Sequence, residues 1–142
     1  MMNEQVRRIM TKDPLSVTQD MSVLEAEKIM LKNRMNQLVV VDGIQFVGLI
    51  TAYDLWRDDR ESDNHKDKKV ADVMNTKVCR ITPLDKVGTA AELFMDKRFK
   101  TLPVVNLRGE LKGVITSFDV LRHCLTEEYP RPILYQEVFE NQ

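Results

Sequence analysis

The sequence predicts a mixed α/β protein made of two β-α-β-β-α repeats that share a core. Two observations carry this expectation. The chain is written twice: a shift of 64 residues lays Val6–Met10 on Val70–Met74, Thr18 on Thr82, Val23 and Ala26 on Val87 and Ala90, Arg34 on Arg98, and Leu38–Asp42 on Leu102–Asn106. After one extra residue in the second copy, around Leu107–Lys112, Gly48–Leu55 falls on Gly113–Val120. Within each copy, moreover, strand-like and helix-like hydrophobic patterns follow one another in the same order.

Taken in order, Ser16–Thr18 follows Pro14 and reads as a short extended piece. Ser22 and Glu25 form an S-x-x-E capping pattern, and Val23, Ala26, Ile29 and Met30 continue at helical spacing. Leu38–Val41 is continuous and β-branched, hence a buried strand. Asp42-Gly43 is a turn signal, and Phe46–Thr51 returns as the second arm of a hairpin. A helix then begins near Thr51. The second copy repeats this, with helices near Val87–Lys97 and Ser117–Leu125 and a hairpin turning at Arg108-Gly109. The expected organisation is repeat 1 over 6–57, a charged linker over 58–69, repeat 2 over 70–125 and a tail over 126–142. The stretch Arg57–Lys69 holds five acidic and five basic residues, so it reads as a solvated helix end plus linker without a ligand of its own. The tail carries Ile133, Leu134, Tyr135, Val138 and Phe139, and is expected to pack on the body or on a second subunit.

Composition narrows the function classes. The formal net charge is −1 with both signs interspersed, which argues against a nucleic-acid binder. Apolar runs are strand-sized, far below the roughly 20 residues of a membrane span. Met1–Gln5 lacks the apolar stretch of a signal peptide. Cys79 and Cys124 suggest no disulfide framework. The expectation is a soluble, cytoplasmic protein. His65 lies in the charged linker, and His123-Cys124, adjacent on a helix, point apart, so no metal site is expected. Neither a Ser/His/Asp set nor paired catalytic carboxylates nor a P-loop is present, and the expectation is no enzyme. The eight methionines read as core filling.

The repeated residues Val6-x-x-Ile9-Met10, Val23-x-x-Ala26, Leu38–Asp42 and Gly48–Thr51-x-x-Asp54, with partners Val70-x-x-Val73-Met74, Val87-x-x-Ala90, Leu102–Asn106 and Gly113–Thr116-x-x-Asp119, resemble tandem cystathionine-β-synthase (CBS) repeats, also called a Bateman module. The resemblance covers residues 6–125. It implies a tandem CBS pair packed sheet to sheet about a pseudo-twofold axis, two clefts, and frequent pairing of modules into dimers. It also implies a regulatory ligand such as AMP, ADP, ATP, S-adenosylmethionine or NAD, with no required cofactor, and an attached or associated enzyme or transporter as target. The sequence shows no such catalytic or transport domain, so a stand-alone module is expected.

Two readings of the T-x-x-D motifs remain open. Thr51 and Thr116 can cap helices, with Asp54 and Asp119 favoured by the helix dipole. Alternatively, the aspartates accept hydrogen bonds from a ribose diol, the threonines meet a ribose hydroxyl or a phosphate, and free N–H groups at the helix start attract an anion. Both can hold at once. The resemblance further implies that each cleft joins the T-x-x-D of one copy to the first strand and hairpin start of the other. One cleft then combines Thr116 and Asp119 with Asp13, Leu15, Met35 and Asn36. The other combines Thr51 and Asp54 with Lys77, Cys79, Phe99 and Lys100. Lys100 can supply charge to a phosphate and Asn36 cannot, so the clefts are inequivalent; Lys100 as an ordinary solvated lysine is the competing reading. Leu15 and Cys79 offer backbone and apolar surface to adenine or are plain core. Tyr53 and Phe118 serve helix packing or a subunit contact, or else base stacking. The leading functional expectation is a nucleotide-responsive regulatory homodimer. The alternative is a ligand-free dimerisation or scaffold protein with the same fold, its clefts filled by side chains such as Met35 and Phe99.

Overall fold

The computed structural model describes residues 1–96 and 99–128. The tail beyond Glu128, and the expected helix end at Lys97, lie outside the described residues. The first repeat contributes β1 (Ser16–Thr18), α1 (Val23–Asn33), β2 (Gln37–Asp42), β3 (Gln45–Thr51) and α2 (Ala52–Glu61). The second contributes α3 (Val70–Val73), α4 (Val87–Met95), β4 (Thr101–Val105), β5 (Leu111–Thr116) and α5 (Ser117–Glu128). β1 runs parallel to β2, which pairs antiparallel with β3; β4 pairs antiparallel with β5. Both hairpins carry a register shift at equivalent places, Val40/Val41 and Val104/Val105. Gly43 and Gly109 take the left-handed backbone that the two turns require.

The second repeat lacks a full first strand. Where β1 makes three parallel pairings, its counterpart makes one bridge, Ile81 to Val104. The reason is visible in the sequence. Extending a parallel ladder from Ile81 needs an N–H at residue 83 on one side and at residue 103 on the other. Both are prolines, with no N–H to give.

The repeat in sequence is not the unit of packing. Val6, fully buried, sits in the core of the second repeat among Val87, Ala90, Leu102 and Ile115. Val70, also fully buried, sits in the core of the first among Val23, Ala26, Leu38 and Ile50. Each repeat therefore lends its first turn to the other. Backbone bonds fix the exchange symmetrically: Asn75 and Leu49 exchange N–H···O bonds of 2.8 and 3.0 Å, and Thr11 and Val114 exchange bonds of 2.8 and 3.0 Å. Gly48 and Gly113 make this approach possible, because a Cβ would stand 2.6 Å from the Asn75 carbonyl oxygen or 2.5 Å from that of Thr11. A third cluster, Val39, Phe46, Leu49 and Val105, joins the two sheets. Gln37 and Thr101, equivalent positions in the two repeats, hydrogen-bond to each other and so mark the pseudo-twofold axis. Through this third cluster the two repeats pack together rather than standing as independent domains, as the sequence predicts.

The helices start in different ways. Ser22 accepts from the Glu25 N–H at 3.1 Å, the N-cap half of the expected pattern. α4 has no side-chain cap; instead the N–H groups of Val87 and Gly88 donate to the Glu4 and Met2 carbonyls. The N-terminal residues, turning at Met2-Asn3, thereby satisfy a helix end that its own sequence leaves open.

The linker differs from expectation. α2 continues to Glu61, and His65, on a short 3₁₀ turn at residues 65–67, is only 4% exposed. Its ring is held between Asp58 of α2 (Nδ1···Oδ2, 2.6 Å) and Glu27 of α1 (Nε2···Oε1, 2.8 Å). His65 pins a connection whose other residues are mostly exposed, so the solvated reading fails only at this histidine. His123 and Cys124 serve different ends: the His123 ring meets the Met1 carbonyl, and Cys124 lines an outer groove.

Candidate functional site

The two T-x-x-D motifs sit at equivalent strand-to-helix junctions, and both form caps. Thr51 Oγ1 accepts from the Asp54 N–H at 3.0 Å, while Asp54 Oδ2 accepts from the Thr51 N–H at 3.1 Å and the Thr51 hydroxyl at 2.6 Å. At the second junction, Thr116 Oγ1 accepts from the Asp119 N–H at 3.1 Å and Asp119 Oδ2 from the Thr116 N–H at 2.9 Å. Both aspartates are buried. The capping reading of the sequence therefore holds at both sites.

These bonds correct the expectation of free amides for an anion. The N–H groups of Thr51 and Asp54 are used within the cap, and that of Ala52 donates to the Asn36 carbonyl at 2.7 Å. The Tyr53 N–H is the one first-turn amide outside these bonds, so an anion at this end depends chiefly on side chains.

A cleft of about 280 Å³ opens beside the first junction. Its walls include Thr51, Lys77, Cys79, Phe99 and Lys100, five of the six residues that the sequence assigned to one site. They come from both repeats. Asp54, the sixth, stands behind Thr51 and does not form the wall. Gln37, Leu49, Asn75, Val78 and Thr101 complete the lining and were not anticipated. Asn75 is the most informative of these, because its Nδ2 donates to Asp54 Oδ2 at 2.8 Å. The signal was present: Asn75 follows Met74 as Thr11 follows Met10, and Thr11 Oγ1 reaches Asp119 Oδ2 at 3.5 Å.

Asp13, Leu15, Met35 and Asn36, assigned by the sequence to a site with Thr116 and Asp119, are exposed, at the positions that correspond to Lys77, Cys79, Phe99 and Lys100 in the other repeat. Met35 also lines an outer groove between α1 and α2. The aspartates differ in their free valence. Asp119 Oδ1 accepts from Arg122 Nη2 at 2.9 Å, whereas the equivalent Arg57 stands 3.9 Å from Asp54 Oδ1. Asp54 Oδ1 therefore has only the distant Arg57 beside it.

Tyr53 and Phe118 do not line the Thr51 cleft; they are exposed on α2 and α5, with the Arg57 and Arg122 guanidinium groups 5.6 and 5.4 Å from their ring centroids. Larger concavities lie on this outer side, about 560 Å³ between α4 and α5 and about 500 Å³ between α1 and α2. The first is almost wholly apolar in its lining residues, and neither brings the two repeats together around a cap.

Comparison with known proteins agrees with this geometry. The CBS domain family matches residues 6–55 and again 70–126, so the chain belongs to the CBS-domain family and carries a tandem pair. Protein MJ1404 of Methanocaldococcus jannaschii is 32% identical over 124 residues, which is 85% of this chain and 28% of that protein. A second relative from the same organism is likewise longer, with this chain spanning 48% of it. Among solved structures, CBSX2 in complex with AMP, a protein of Arabidopsis thaliana, superposes with a TM-score of 0.77 at 26% identity, covering 87% of this chain and 98% of that one. The CBS domain pair of protein MJ0100 in complex with 5′-methylthioadenosine and S-adenosylmethionine gives 0.71 at 27% identity, covering 85% and 99%. Among the described residues no helix is long and apolar enough to cross a membrane.

Proposed function

We propose that this chain is a regulatory module that binds an adenosyl ligand, AMP, ADP, ATP or a related compound, in the cleft at the Thr51 junction and passes the bound state to a partner enzyme or transporter. One observation carries the reading. Residues from both repeats converge on a single cleft whose volume is near the lower bound of small-molecule sites, about 300 Å³. Ligand complexes of CBSX2 and MJ0100 support the same ligand class. In this reading Thr51, on the cleft wall with Asp54 behind it, meets the ribose, Cys79 and Val78 face the base, and binding rather than catalysis is the role, exercised in the cytoplasm. A thermal-shift panel with AMP, ADP, ATP, S-adenosylmethionine and NAD tests it. At least one should raise the melting temperature, since a ligand that binds only the folded state stabilises it. No shift with any of them would reject the reading in favour of a ligand-free scaffold.

The module further acts as a homodimer through its outer helices. Tyr53, Trp56, Phe118 and Leu121 are 61, 56, 64 and 64% exposed, an apolar display that twofold pairing would cover.

A further inference from the structure

The groove between α4 and α5 is apolar along its whole length. It encloses about 560 Å³, and Phe94 and Met95 of α4 face Val120, Leu121 and Cys124 of α5 across it. Met95 and Leu121 are 82 and 64% exposed, and with their neighbours they form a contiguous patch rather than scattered apolar residues. Glu92 is the one charged residue of the lining, and it makes no ion pair among the described residues. The counterpart groove between α1 and α2 has Glu27, Arg34 and Asp59 in its lining and offers no such uniform apolar seat.

The sequence that follows α5 matches this groove. α5 ends at Glu128, about one turn beyond Cys124, and residues 129–142 follow it. Pro130 and Pro132 cannot propagate a helix, so α5 has no straight continuation. Beyond them Leu134, Tyr135, Val138 and Phe139 recur at the spacing of one helical face, with Gln136, Glu137 and Glu140 opposite. Arg131 is the only basic residue after α5. The His123 ring meets the Met1 carbonyl and Gly88 donates to the Met2 carbonyl, so the Gly88 end of α4 stands beside the end of α5 from which the tail departs. Three residues beyond Glu128 reach up to about 10 Å, and Glu92 lies one turn into α4 from that end. Residues 88–95 cover about 10 Å of helix, against about 8 Å for residues 134–139 in helical form.

We propose that this groove is the seat of the chain's own tail. Residues 131–139 turn back along α5, Arg131 pairs with Glu92, and the apolar face of Leu134, Tyr135, Val138 and Phe139 fills the space between α4 and α5. The short tether makes the docking intramolecular, so a modest amphipathic contact suffices to hold it. Leu121 belongs both to the groove side of α5 and to the stripe it shares with Phe118. The tail therefore covers one flank of it and leaves Tyr53, Trp56 and Phe118 to the twofold pairing.

Cys124 supplies the readout, because it lines this groove whereas Cys79 lines the Thr51 cleft. Full-length chain is labelled with N-ethylmaleimide, and the rate at each cysteine is read by peptide mass spectrometry. Leu134→Asp with Phe139→Asp should unseat the tail and speed labelling of Cys124 by about tenfold or more, with the Cys79 rate unchanged as the check on folding. Glu92→Arg, at an exposed position, should also speed it, and adding Arg131→Glu should restore the protection. Equal Cys124 rates in wild type and the tail variant would overturn the proposal and leave the groove to another cover, such as a second copy. Protection of wild type that is lost on dilution would overturn it too, by assigning the cover to the tail of another copy.

Discussion

Replacing His65 with alanine should destabilise the protein by about 2–3 kcal/mol near pH 6, with a defined pH dependence. Both ring nitrogens face carboxylate oxygens, Asp58 at 2.6 Å and Glu27 at 2.8 Å, so each needs a proton and the ring is held as imidazolium. Those two carboxylates are the charged groups that α2 and α1 bring to it; Lys68 joins through Asp58 at 2.7 Å. Breaking a fully buried pair costs about 3–5 kcal/mol, but the Glu27 and Asp58 side chains are 35% and 17% exposed, and water can re-solvate them. That lowers the figure towards two partly exposed charge-assisted bonds. Desolvation opposes the charge on His65, but the hydrogen bonds to Asp58 and Glu27 and their charges outweigh it, so its pKa is raised. The stabilisation is therefore complete below the unfolded-state value of about 6.5 and fades as pH rises through the folded value. The Asp58 pKa is lowered, first by Lys68 and then by His65, so its share is present above about 3.8 and is lost as pH falls through the depressed folded value. Urea unfolding of wild type and His65→Ala from about pH 5 to about pH 9 measures this. The gap should be widest near pH 5–6 and should narrow above about pH 7, leaving the one bond a neutral ring can still donate. A gap that stays constant across that range, or one below about 0.5 kcal/mol, would refute the imidazolium clasp.

The exchanged first turns make Gly48→Ala costly: its Cβ would press on the Asn75 carbonyl, and overpacking plus weakened bridge bonds should cost about 2–4 kcal/mol in denaturant unfolding. Asp54→Ala should lose more than the ~1 kcal/mol of a simple cap, about 2–3 kcal/mol, because the Thr51 N–H and the Asn75 amide also lose their acceptor. The same variant should weaken nucleotide binding by about tenfold or more by titration. Trp56→Asp combined with Leu121→Asp should shift sedimentation from dimer to monomer at micromolar concentration without changing the far-UV spectrum, since both side chains are more than half exposed.

The sequence disclosed what depends on local pattern and duplication. Thr51 and Asp54 were legible as a cap because T-x-x-D after a buried strand is a complete local device. Pro83 and Pro103 also stood in plain sight, and their missing N–H groups account for the reduced first strand of the second repeat. What stayed hidden depends on chain exchange and on long-range partners. Val6 and Val70 read as apolar in either core, and nothing local says that each crosses to the other repeat. His65 looked like part of a solvated charge run because Glu27 lies 38 residues away and only the fold brings it near. Asn75 and Thr11 were the missed opportunity: polar residues at equivalent positions, each following a turn anchored by a buried valine, and each aimed at the other repeat's aspartate.

That last pairing suggests how a bound ligand would be felt. Asn75 ends the turn that the second repeat lends to the first, and its side chain donates to the same Asp54 oxygen that closes the cap of α2. A ligand hydroxyl arriving at Thr51, whose own hydroxyl donates to Asp54, therefore acts on a carboxylate already shared by both repeats. The exchanged turn is held by two backbone bonds to β3, by the Val70 and Ala71 N–H groups donating to the Met21 and Gln19 carbonyls, and by Val70 in the core. A small shift of Asp54 would thus bear on the seam between the repeats, and beyond it on α2, which carries Tyr53 and Trp56 on its exposed side. For this to move a population, the ligand must bind one packing of the seam more tightly than another. Asn75→Ala separates the two roles. It removes the link but leaves Asp54 Oδ1, Lys77 and Lys100 in place. It should retain AMP binding within about tenfold while abolishing the AMP-induced change in hydrogen exchange at α2. An unchanged exchange response in that variant would show that the signal leaves the cleft by another route.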